Sequence, residues 1–255
     1  MEEIRLLSLV IPSYNQEKMI GKNIVSLNTV LSALPFKHEI IVVFDGINKK
    51  SLTKLKKLEN KNIRIYGYLD NRGKGYAVRY GLLRAKGDIV GFIDAGMDID
   101  PTGVSMLLNH MVWYNADIII GSKLHPVSQV NYPNIRKVLS WGYRTFTHIL
   151  FGFKVKDTQV GLKIFRKKVV DDVFPRLIVN DFAFDIEVLA VAYALGYKRI
   201  YEAPVKLHFK NVSSITSKRY LEIIAYMIYN TLGVFYRLHI THFYKYKRKY
   251  KRLRP

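Results

Sequence analysis

The stretch that decides the fold is Ile89-Val90-Gly91-Phe92-Ile93, followed at once by Asp94-Ala95-Gly96-Met97-Asp98. Five apolar residues that end abruptly at an acid are typical of a strand buried on both faces of a parallel sheet. Similar short apolar runs recur along the chain, with amphipathic stretches between them: Leu6–Ile11, Glu39–Phe44, Ile63–Tyr68 and Ile118–Ile120. This alternation predicts an α/β fold in which helices flank both faces of a mostly parallel sheet.

Ligands of such sheets bind at the carboxyl ends of the strands. The segments that follow the predicted strands are therefore the candidates for a binding site: Pro12-Ser13-Tyr14-Asn15, Asp45-Gly46, Asp70-Asn71-Arg72-Gly73, and Asp94 to Asp98.

The glycine-rich segment from Asn71 to Gly75 leads into a predicted helix. Free backbone N–H groups at a helix start attract phosphate. The segment lacks the spacing and the hydroxyl residue of a P-loop. An ordinary helix entry would have the same composition, so this segment alone is a weak signal.

Asp94, Asp98 and Asp100 lie within one loop. Clustered carboxylates repel one another unless a cation lies between them, and Mg²⁺ or Mn²⁺ bridges one or two carboxylates to a diphosphate. Asp100 precedes Pro101 and suits a helix cap. Capping does not explain Asp94, so this residue is the predicted metal ligand.

The composition points to a polyanionic partner. The 255 residues carry a formal net charge of +21, and basic residues are dense from Lys245 to Arg254. So much like charge attracts anionic lipid or nucleic acid, although a solvated tail has the same composition. Cysteine is absent, which excludes disulfides, thiolate nucleophiles and cysteine-based zinc sites. The apolar run after Glu2 and Glu3 lacks the basic start and length of a secretory signal.

Two later stretches are rich in aromatic residues. Residues 136–153 suit a helix packed under the sheet or lying at a lipid interface. Residues 220–240 approach the length that spans a bilayer, but Glu222, Asn230 and Arg237 interrupt them. This pattern favours a helix in the membrane plane, with the basic tail on anionic headgroups. The expected organisation is one domain over residues 1–215 and an amphipathic helix with a basic membrane-surface tail over residues 216–255.

The ordered motifs resemble glycosyltransferase family 2, and within it the polyprenol-phosphate sugar synthases. The markers stand in this order, over nearly the whole chain up to about residue 215: Val10 to Asn15, Ile41 to Gly46, Asn71 to Gly75, Gly87 to Ala95, Gly121 to Lys123, and Asp157 to Gly161. The resemblance implies a GT-A-like, Rossmann-related fold. It also implies an inverting, metal-dependent transfer of a hexose from a nucleotide-diphosphate sugar, of GDP-mannose or UDP-glucose type, to a polyprenyl or dolichyl phosphate. The implied location is peripheral, on the cytoplasmic face of a membrane.

The resemblance implies the donor-side residues as well. The motif Pro12 to Asn15, through Tyr14, and the acid Asp45 match positions that hold the nucleotide base. Arg72 and Lys74 match basic residues near the phosphates. Phe44 replaces the first acid of the family's Asp-Asp-Gly, which leaves the base contact to Asp45.

The metal motif departs from the family pattern. Asp94 matches the first acid of the Asp-x-Asp motif, but Gly96 stands where the second acid is usual. Many relatives carry a metal-contacting Gln two positions further on, and here that residue is Asp98. We therefore expect Asp94 and Asp98 to bind Mg²⁺ or Mn²⁺ as a rearranged pair.

On the acceptor side, Lys123, Arg136 and Ser140 match positions where related synthases bind the lipid phosphate. Cationic groups beside an aromatic segment suit an anionic head on a hydrocarbon chain, and the less favoured alternative is that Arg136 and Lys137 are surface residues of a helix. Asp157 resembles a loop acid that faces the active site. Asp185 and Glu187 lie where relatives carry another functional acid, although capping of a helix start explains Asp185 equally well.

The sequence is also compatible with two other functions. The tyrosines within the basic tail could stack on bases, as in a nucleic-acid-binding protein, but a simple binder has no need of the ordered loop motifs, so no nucleic-acid partner is expected. A soluble or polysaccharide acceptor would have to lose a hydroxyl proton and would make a general base indispensable. The sequence does not separate mannose from glucose, because Asp45 accepts hydrogen bonds from either guanine or uracil.

Overall fold

The computed structural model describes residues 4–128, 134–153, 155–181, 183–207 and 217–245, and it gives no side-chain surroundings for Lys18, residues 134–141 and residues 217–224. The strands are β1 (Leu6–Ser13), β2 (Lys37–Asp45), β3 (Ile63–Tyr68), β4 (Ile89–Ile93), β5 (Ile118–Ser122), β6 (Leu162–Arg166) and β7 (Ile200–Pro204). The α-helices are α1 (Glu17–Ser32), α2 (Lys49–Leu55), α3 (Lys74–Leu82), α4 (Gly103–Trp113), α5 (Asn134–Phe151), α6 (Lys167–Val173), α7 (Phe184–Ala194) and α8 (Ser217–His239).

All seven described strands form one sheet in the order β3-β2-β1-β4-β6-β5-β7. Strands β1 to β4 run parallel, and β7 runs parallel to β5. Strand β6 runs antiparallel to both of its neighbours, β4 and β5. The predicted mostly parallel α/β sheet is therefore confirmed, and the carboxyl ends of β1, β2 and β4 meet at one edge.

The burial of the central strands explains why apolar runs in the sequence predict them. Strands β1 and β4 lie in the middle of the sheet, and Leu9, Val10, Phe92 and Ile93 are completely buried. Helices cover both faces of such a sheet, so its central strands need apolar side chains in both directions.

The C-terminal helix α8 is part of this packing. Its Thr231 and Val234 are fully buried, and the Thr231 hydroxyl lies 2.8 Å from the Tyr143 hydroxyl of α5. The two segments on either side of residue 215 are therefore in contact. None of the described helices combines the length and the apolar character that a bilayer-spanning segment requires. The basic residues 246–255 lie outside the described part of the chain.

Candidate functional site

A cleft of about 670 Å³ opens at the carboxyl edge of β1, β2 and β4. Its volume lies within the range of about 300–1,000 Å³ that small-molecule sites commonly enclose. The cleft brings together six of the residues proposed from the sequence: Pro12, Tyr14, Asp45, Lys74, Asp94 and Asp98. Asn15, Arg72, Lys123, Asp157 and Glu187 are not among its lining residues.

Asp94 follows β4 and is paired with Lys74 of α3. The Lys74 Nζ lies 2.7 Å from Asp94 Oδ1, and the Asp94 side chain remains 48% exposed. Desolvation opposes ionisation of Lys74, but the Asp94 and Asp185 carboxylates outweigh it and raise the pKa of Lys74 above its ordinary value. The floor of the cleft therefore presents an ammonium and an accessible carboxylate side by side.

Gly161 makes the space that Asp94 occupies. Its backbone oxygen accepts a hydrogen bond from the Asp94 N–H at 2.8 Å. A Cβ built on Gly161 would lie 1.9 Å from Asp94 Oδ2, far closer than any van der Waals contact. Only glycine at position 161 therefore permits the observed position of the Asp94 carboxylate.

The Asp98 carboxylate lies beside the position where a side chain at residue 96 would begin. A Cβ built on Gly96 would lie 3.7 Å from Asp98 Oδ2 and 3.9 Å from Oδ1. Within the described residues, no three Asp, Glu or His side chains converge as a closed metal-binding cluster. Mg²⁺ and Mn²⁺ do not require one, because one or two carboxylates and substrate phosphates suffice to hold them. Asp94 and Asp98 in the same cleft fit a cation of this kind.

Asp45, at the end of β2, holds the glycine-rich turn. Its two carboxylate oxygens accept hydrogen bonds from the backbone N–H groups of Arg72, at 2.6 Å, and Gly73, at 2.9 Å. The guanidinium of Arg72 packs over the rings of Tyr68 and Tyr76, with its Cζ 5.2 and 5.1 Å from their centres. Asp45 thus fixes the conformation of the turn, and Arg72 lies on the aromatic side of it.

A row of alternating charges runs beneath the cleft. Lys163 of β6 is completely buried, and its ammonium contacts the Asp185 carboxylate and the Val160 carbonyl oxygen. Burial lowers the pKa of Lys163, while Asp185 opposes this shift. Asp185 also acts on Lys74, so Asp94, Lys74, Asp185 and Lys163 form a row in which each charge faces its opposite.

Asp157 and Lys123 lie together beside β5. The Lys123 N–H donates to Asp157 Oδ2 at 2.8 Å, and the Asp157 N–H donates to Glu202 Oε1 at 2.8 Å. Burial raises the pKa of Asp157, and the Lys123 charge opposes this effect. Arg136 and Ser140 fall in α5, but their side chains lie outside the described part of the chain.

Glu187 of α7 is completely buried and has four hydrogen bonds. Its carboxylate accepts from the N–H of Ile178, with both oxygens at 3.1 Å, from the N–H of Val179 at 2.9 Å, and from the Tyr244 hydroxyl at 2.7 Å. Burial raises the pKa of Glu187, and these donors oppose the rise. The contacts of Glu187 are therefore with the backbone of one loop and with the C-terminal segment.

Gln16 and Asp181 line the cleft but were missed by sequence reasoning. Ser13, Gln159 and Asp185, which lie within segments named from the sequence, line it as well. Within the described residues, neither Ser13 Oγ nor Gln16 Oε1 has a hydrogen-bond partner, although both atoms are buried. The place of Gln16 just beyond β1 was the available signal, whereas Asp181 is brought in from far along the chain, shortly before α7.

Solved structures of sugar transferases share this fold. A glucosyl-3-phosphoglycerate synthase from Mycobacterium tuberculosis, crystallised with Mn²⁺, UDP-glucose and phosphoglyceric acid, matches with a TM-score of 0.67 at 16% identity, over 91% of this chain and 80% of its own. Mannosyl-3-phosphoglycerate synthase from Rubrobacter xylanophilus matches with a TM-score of 0.69 at 15% identity, over 98% and 79% of the two chains. At these identities the likeness establishes the fold alone.

Similarity in sequence is higher with curated proteins named dolichyl-phosphate beta-glucosyltransferase. The protein from Dictyostelium discoideum is 32% identical over 74% of this chain and 63% of its own length. The Saccharomyces cerevisiae protein is also 32% identical, over 81% and 68%, and the human protein is 31% identical, over 73% and 62%. The chain thus spans a little under or over two thirds of the length of these relatives.

The family model described as glycosyl transferase family 2 matches residues 8–174. This range contains β1 to β6 and therefore the cleft edge with Asp45, Lys74, Asp94 and Asp98. The resemblance inferred from the ordered motifs is confirmed by a match over well over half of the sequence, and this chain belongs to glycosyl transferase family 2.

Proposed function

We propose that this protein transfers a hexose from a nucleotide-diphosphate sugar to a polyprenyl or dolichyl phosphate at a membrane surface. The observation that carries the proposal is the cleft at the carboxyl edge of the sheet, where Asp94 and Lys74 lie 2.7 Å apart and Asp98 lines the same space. The names of the curated relatives favour glucose as the sugar and dolichyl phosphate as the acceptor.

The donor-side roles follow from the cleft. Asp94 and Asp98 would hold Mg²⁺ or Mn²⁺ against the diphosphate, and Lys74 would balance further phosphate charge. A divalent cation bound there would offset the negative charge that grows on the departing nucleoside diphosphate. Pro12, Tyr14 and Asn15, with Asp45 behind the turn, would hold the base. Ser13 and Gln16 line the same cleft, and among the described residues their Oγ and Oε1 have no hydrogen-bond partner.

The transfer itself would be one in-line displacement with an oxocarbenium-like transition state. The relatives' names imply a β-linked product, and with an α-linked donor this product requires inversion at the anomeric carbon. A lipid monophosphate has a second pKa of about 6, so it is largely ionised at neutral pH and needs little help from a base. Orienting the phosphate, through Lys123, Arg136 and Ser140, then matters more than removing a proton.

A panel of donors and acceptors tests this proposal. UDP- and GDP-sugars are incubated with Mn²⁺ or Mg²⁺ and with polyprenyl phosphate, and the glycolipid product is extracted and quantified. Parallel reactions contain a soluble acceptor, which separates the alternative of a soluble or polysaccharide substrate. The proposal is wrong if no donor yields glycolipid with or without metal.

The hypothesis that Asp98 replaces the acid missing at position 96 can be tested by moving a carboxylate from residue 98 to residue 96. We expect Asp98→Ala to raise the Mn²⁺ concentration for half-maximal activity by about tenfold, since one charged ligand is lost. Because the Gly96 Cβ position lies 3.7 Å from Asp98 Oδ2, adding Gly96→Asp to the Asp98→Ala protein should restore most of the metal affinity. Gly96 does not have a positive φ, so an aspartate there brings no backbone strain.

The same pair of variants gives the contradicting outcome. An unchanged metal requirement in Asp98→Ala would show that Asp98 is not a ligand. A loss in Asp98→Ala that Gly96→Asp fails to repair would show that the role of Asp98 does not depend on its place beside residue 96.

The membrane surface has a candidate contact on α8 and just beyond it. A stripe of side chains at helical spacing stands in solvent: Tyr229, Leu232, Tyr236 and Ile240, which are 75, 47, 56 and 62% exposed. Aromatic and aliphatic side chains of this kind enter the headgroup region, where a net charge of +21 is also attracted to anionic lipid.

We expect the double variant Tyr229→Glu/Tyr236→Glu to bind anionic vesicles at least about tenfold more weakly, because each lost ring contributes 1.5 kcal/mol or more when buried. Sedimentation with phosphatidylserine vesicles measures the change. The matched control is Trp113→Glu, which alters an aromatic residue that is 69% exposed at the end of α4. Trp113 lies just before β5, at the amino ends of the strands and so opposite the carboxyl edge that forms the cleft. Equal losses in both proteins would contradict the assignment of the stripe.

A further inference from the structure

Residues 177–181, here named the bridging loop, lie against the glycine-rich turn. The carbonyl oxygen of Asn180 accepts a hydrogen bond from the Gly75 N–H at 2.6 Å, and its side-chain oxygen accepts one from Arg79 Nη2 at 3.0 Å. A Cβ built on Gly73, whose φ is +93°, would lie 2.5 Å from the Asn180 carbonyl oxygen. The bridging loop therefore packs against the glycine-rich turn and fixes the conformation of its backbone.

The other side of the bridging loop is held by Glu187. Its buried carboxylate accepts the N–H groups of Ile178 and Val179, and it also accepts the Tyr244 hydroxyl at 2.7 Å. Tyr244 is 2% exposed and lies in a 3-10 turn just after α8. One carboxylate thus ties the C-terminal segment to the loop that shapes the glycine-rich turn.

Helix α8 reaches the bridging loop by a second route. The Tyr226 hydroxyl donates to Asp181 Oδ2 at 2.7 Å, and Asp181 lines the cleft. At the far end of the helix, Arg237 Nε donates to the Tyr244 hydroxyl at 3.0 Å, which orients that hydroxyl for its bond to Glu187.

We propose that helix α8 and the turn after it help to shape the donor site. Tyr226, Tyr244 and Glu187 are positioning residues that hold the glycine-rich turn in place through the bridging loop. The inference rests on the proposed function, in which this turn faces the diphosphate. It gives Glu187 a different role from proton transfer, because among the described residues its carboxylate accepts hydrogen bonds from the Ile178 and Val179 N–H groups and from the Tyr244 hydroxyl.

The expected kinetic signature is a change in donor affinity. The turn would contact the diphosphate both before and during transfer, so a looser turn weakens both states alike. Such a loss of uniform binding raises the KM for the donor and leaves kcat nearly unchanged.

The test uses Tyr244→Phe and Tyr226→Phe in the full chain, with Tyr114→Phe as the matched control. Tyr114 is 47% exposed at the end of α4 and does not line the cleft. Calorimetry of UDP and GDP binding with Mn²⁺, without vesicles, gives the dissociation constant directly. We expect Tyr244→Phe to weaken nucleotide binding by about tenfold and Tyr226→Phe by about threefold, since the first removes a buried bond to a carboxylate and the second an exposed one. Tyr114→Phe should bind as the unmodified protein does.

The outcomes separate the inference from the proposed function. If the unmodified protein binds no nucleotide, the proposed function and the inference fail together. If it binds nucleotide and both variants bind equally well, the inference alone is wrong, even where the melting temperature of Tyr244→Phe has fallen. Tyr226 is half exposed, so its variant remains folded and decides the matter if Tyr244→Phe does not fold.

Discussion

Asp94→Asn is expected to lower kcat by about a thousandfold, with little change in folding. The amide keeps the size of the side chain but removes the charge that pairs with Lys74 and would bind the metal. Loss of one preorganised charge at the leaving group commonly reduces turnover by about 10²- to 10³-fold. Because the side chain is 48% exposed and makes no buried ion pair, the melting temperature should stay close to that of the unmodified protein.

Initial rates at saturating donor and Mn²⁺ provide the measurement, with Asp100→Asn as the matched control. Asp100 lies in the same loop, where its Oδ1 accepts from the Thr102 N–H at 2.9 Å, a hydrogen bond that the amide oxygen of asparagine also accepts. Asp157→Asn and Glu187→Gln should reduce the rate less, provided that the nucleophile is an ionised phosphate. Near-normal turnover in Asp94→Asn would overturn the metal assignment, and an indispensable Asp157 or Glu187 would favour a hydroxyl acceptor.

Gly161→Ala is expected to reduce activity about a hundredfold, although it adds a single methyl group. The new Cβ would lie 1.9 Å from Asp94 Oδ2 and 2.3 Å from its Cγ, so the carboxylate must leave its position. Displacing by about 1 Å a group that would bind the metal and the diphosphate commonly lowers the reaction rate by about a hundredfold. The structural cause is local, because the β4–β6 pairing can remain intact.

The control for this substitution is Gly21→Ala in α1, where the nearest atom to the new Cβ is Leu58 Cδ1 at 3.7 Å. That variant should be fully active and slightly stabilised, since alanine is the better helix former. Thermal unfolding is measured on both proteins. If Gly161→Ala is folded and fully active, the Asp94 carboxylate does not need its observed place.

Most of the sheet could be predicted because its strands are buried on both faces. The runs that form β1 to β5 are mostly apolar, with Ser8, Glu39 and Arg64 as exceptions, and each appears in the structure with small changes at its ends. Strand β6 was missed because Lys163 is its second residue, and a buried ammonium contradicts the apolar pattern of a buried strand. It is tolerated because Asp185, from the first turn of α7, lies against it. Such a compensation between distant residues cannot be read from local sequence.

The candidate site, like the sheet, could be predicted only in part. Asp94, Asp98 and Lys74 were found because strand ends and helix starts in this fold converge on one edge. Their mutual arrangement was not predictable, since the Lys74 contact to Asp94 and the fit of Gly161 behind it depend on side-chain packing. The proposal that Glu187 is catalytic arose from the family resemblance, whereas its contact with Tyr244 comes from the segment that follows α8, more than fifty residues further along the chain.

The antiparallel strand β6 has a consequence for how such an enzyme can diversify. Antiparallel neighbours can be joined by a hairpin of two residues, yet β5 and β6 are separated by the whole of residues 123–161. The sheet does not need this length, so insertions and exchanges within it leave the strand order untouched. Those residues include α5 and the proposed acceptor contacts, while Asp45, Lys74, Asp94 and Asp98 all precede them. Acceptor preference can therefore evolve, or be engineered by swapping residues 123–156 between relatives, while Gly161 at the end of the excursion stays in place behind Asp94.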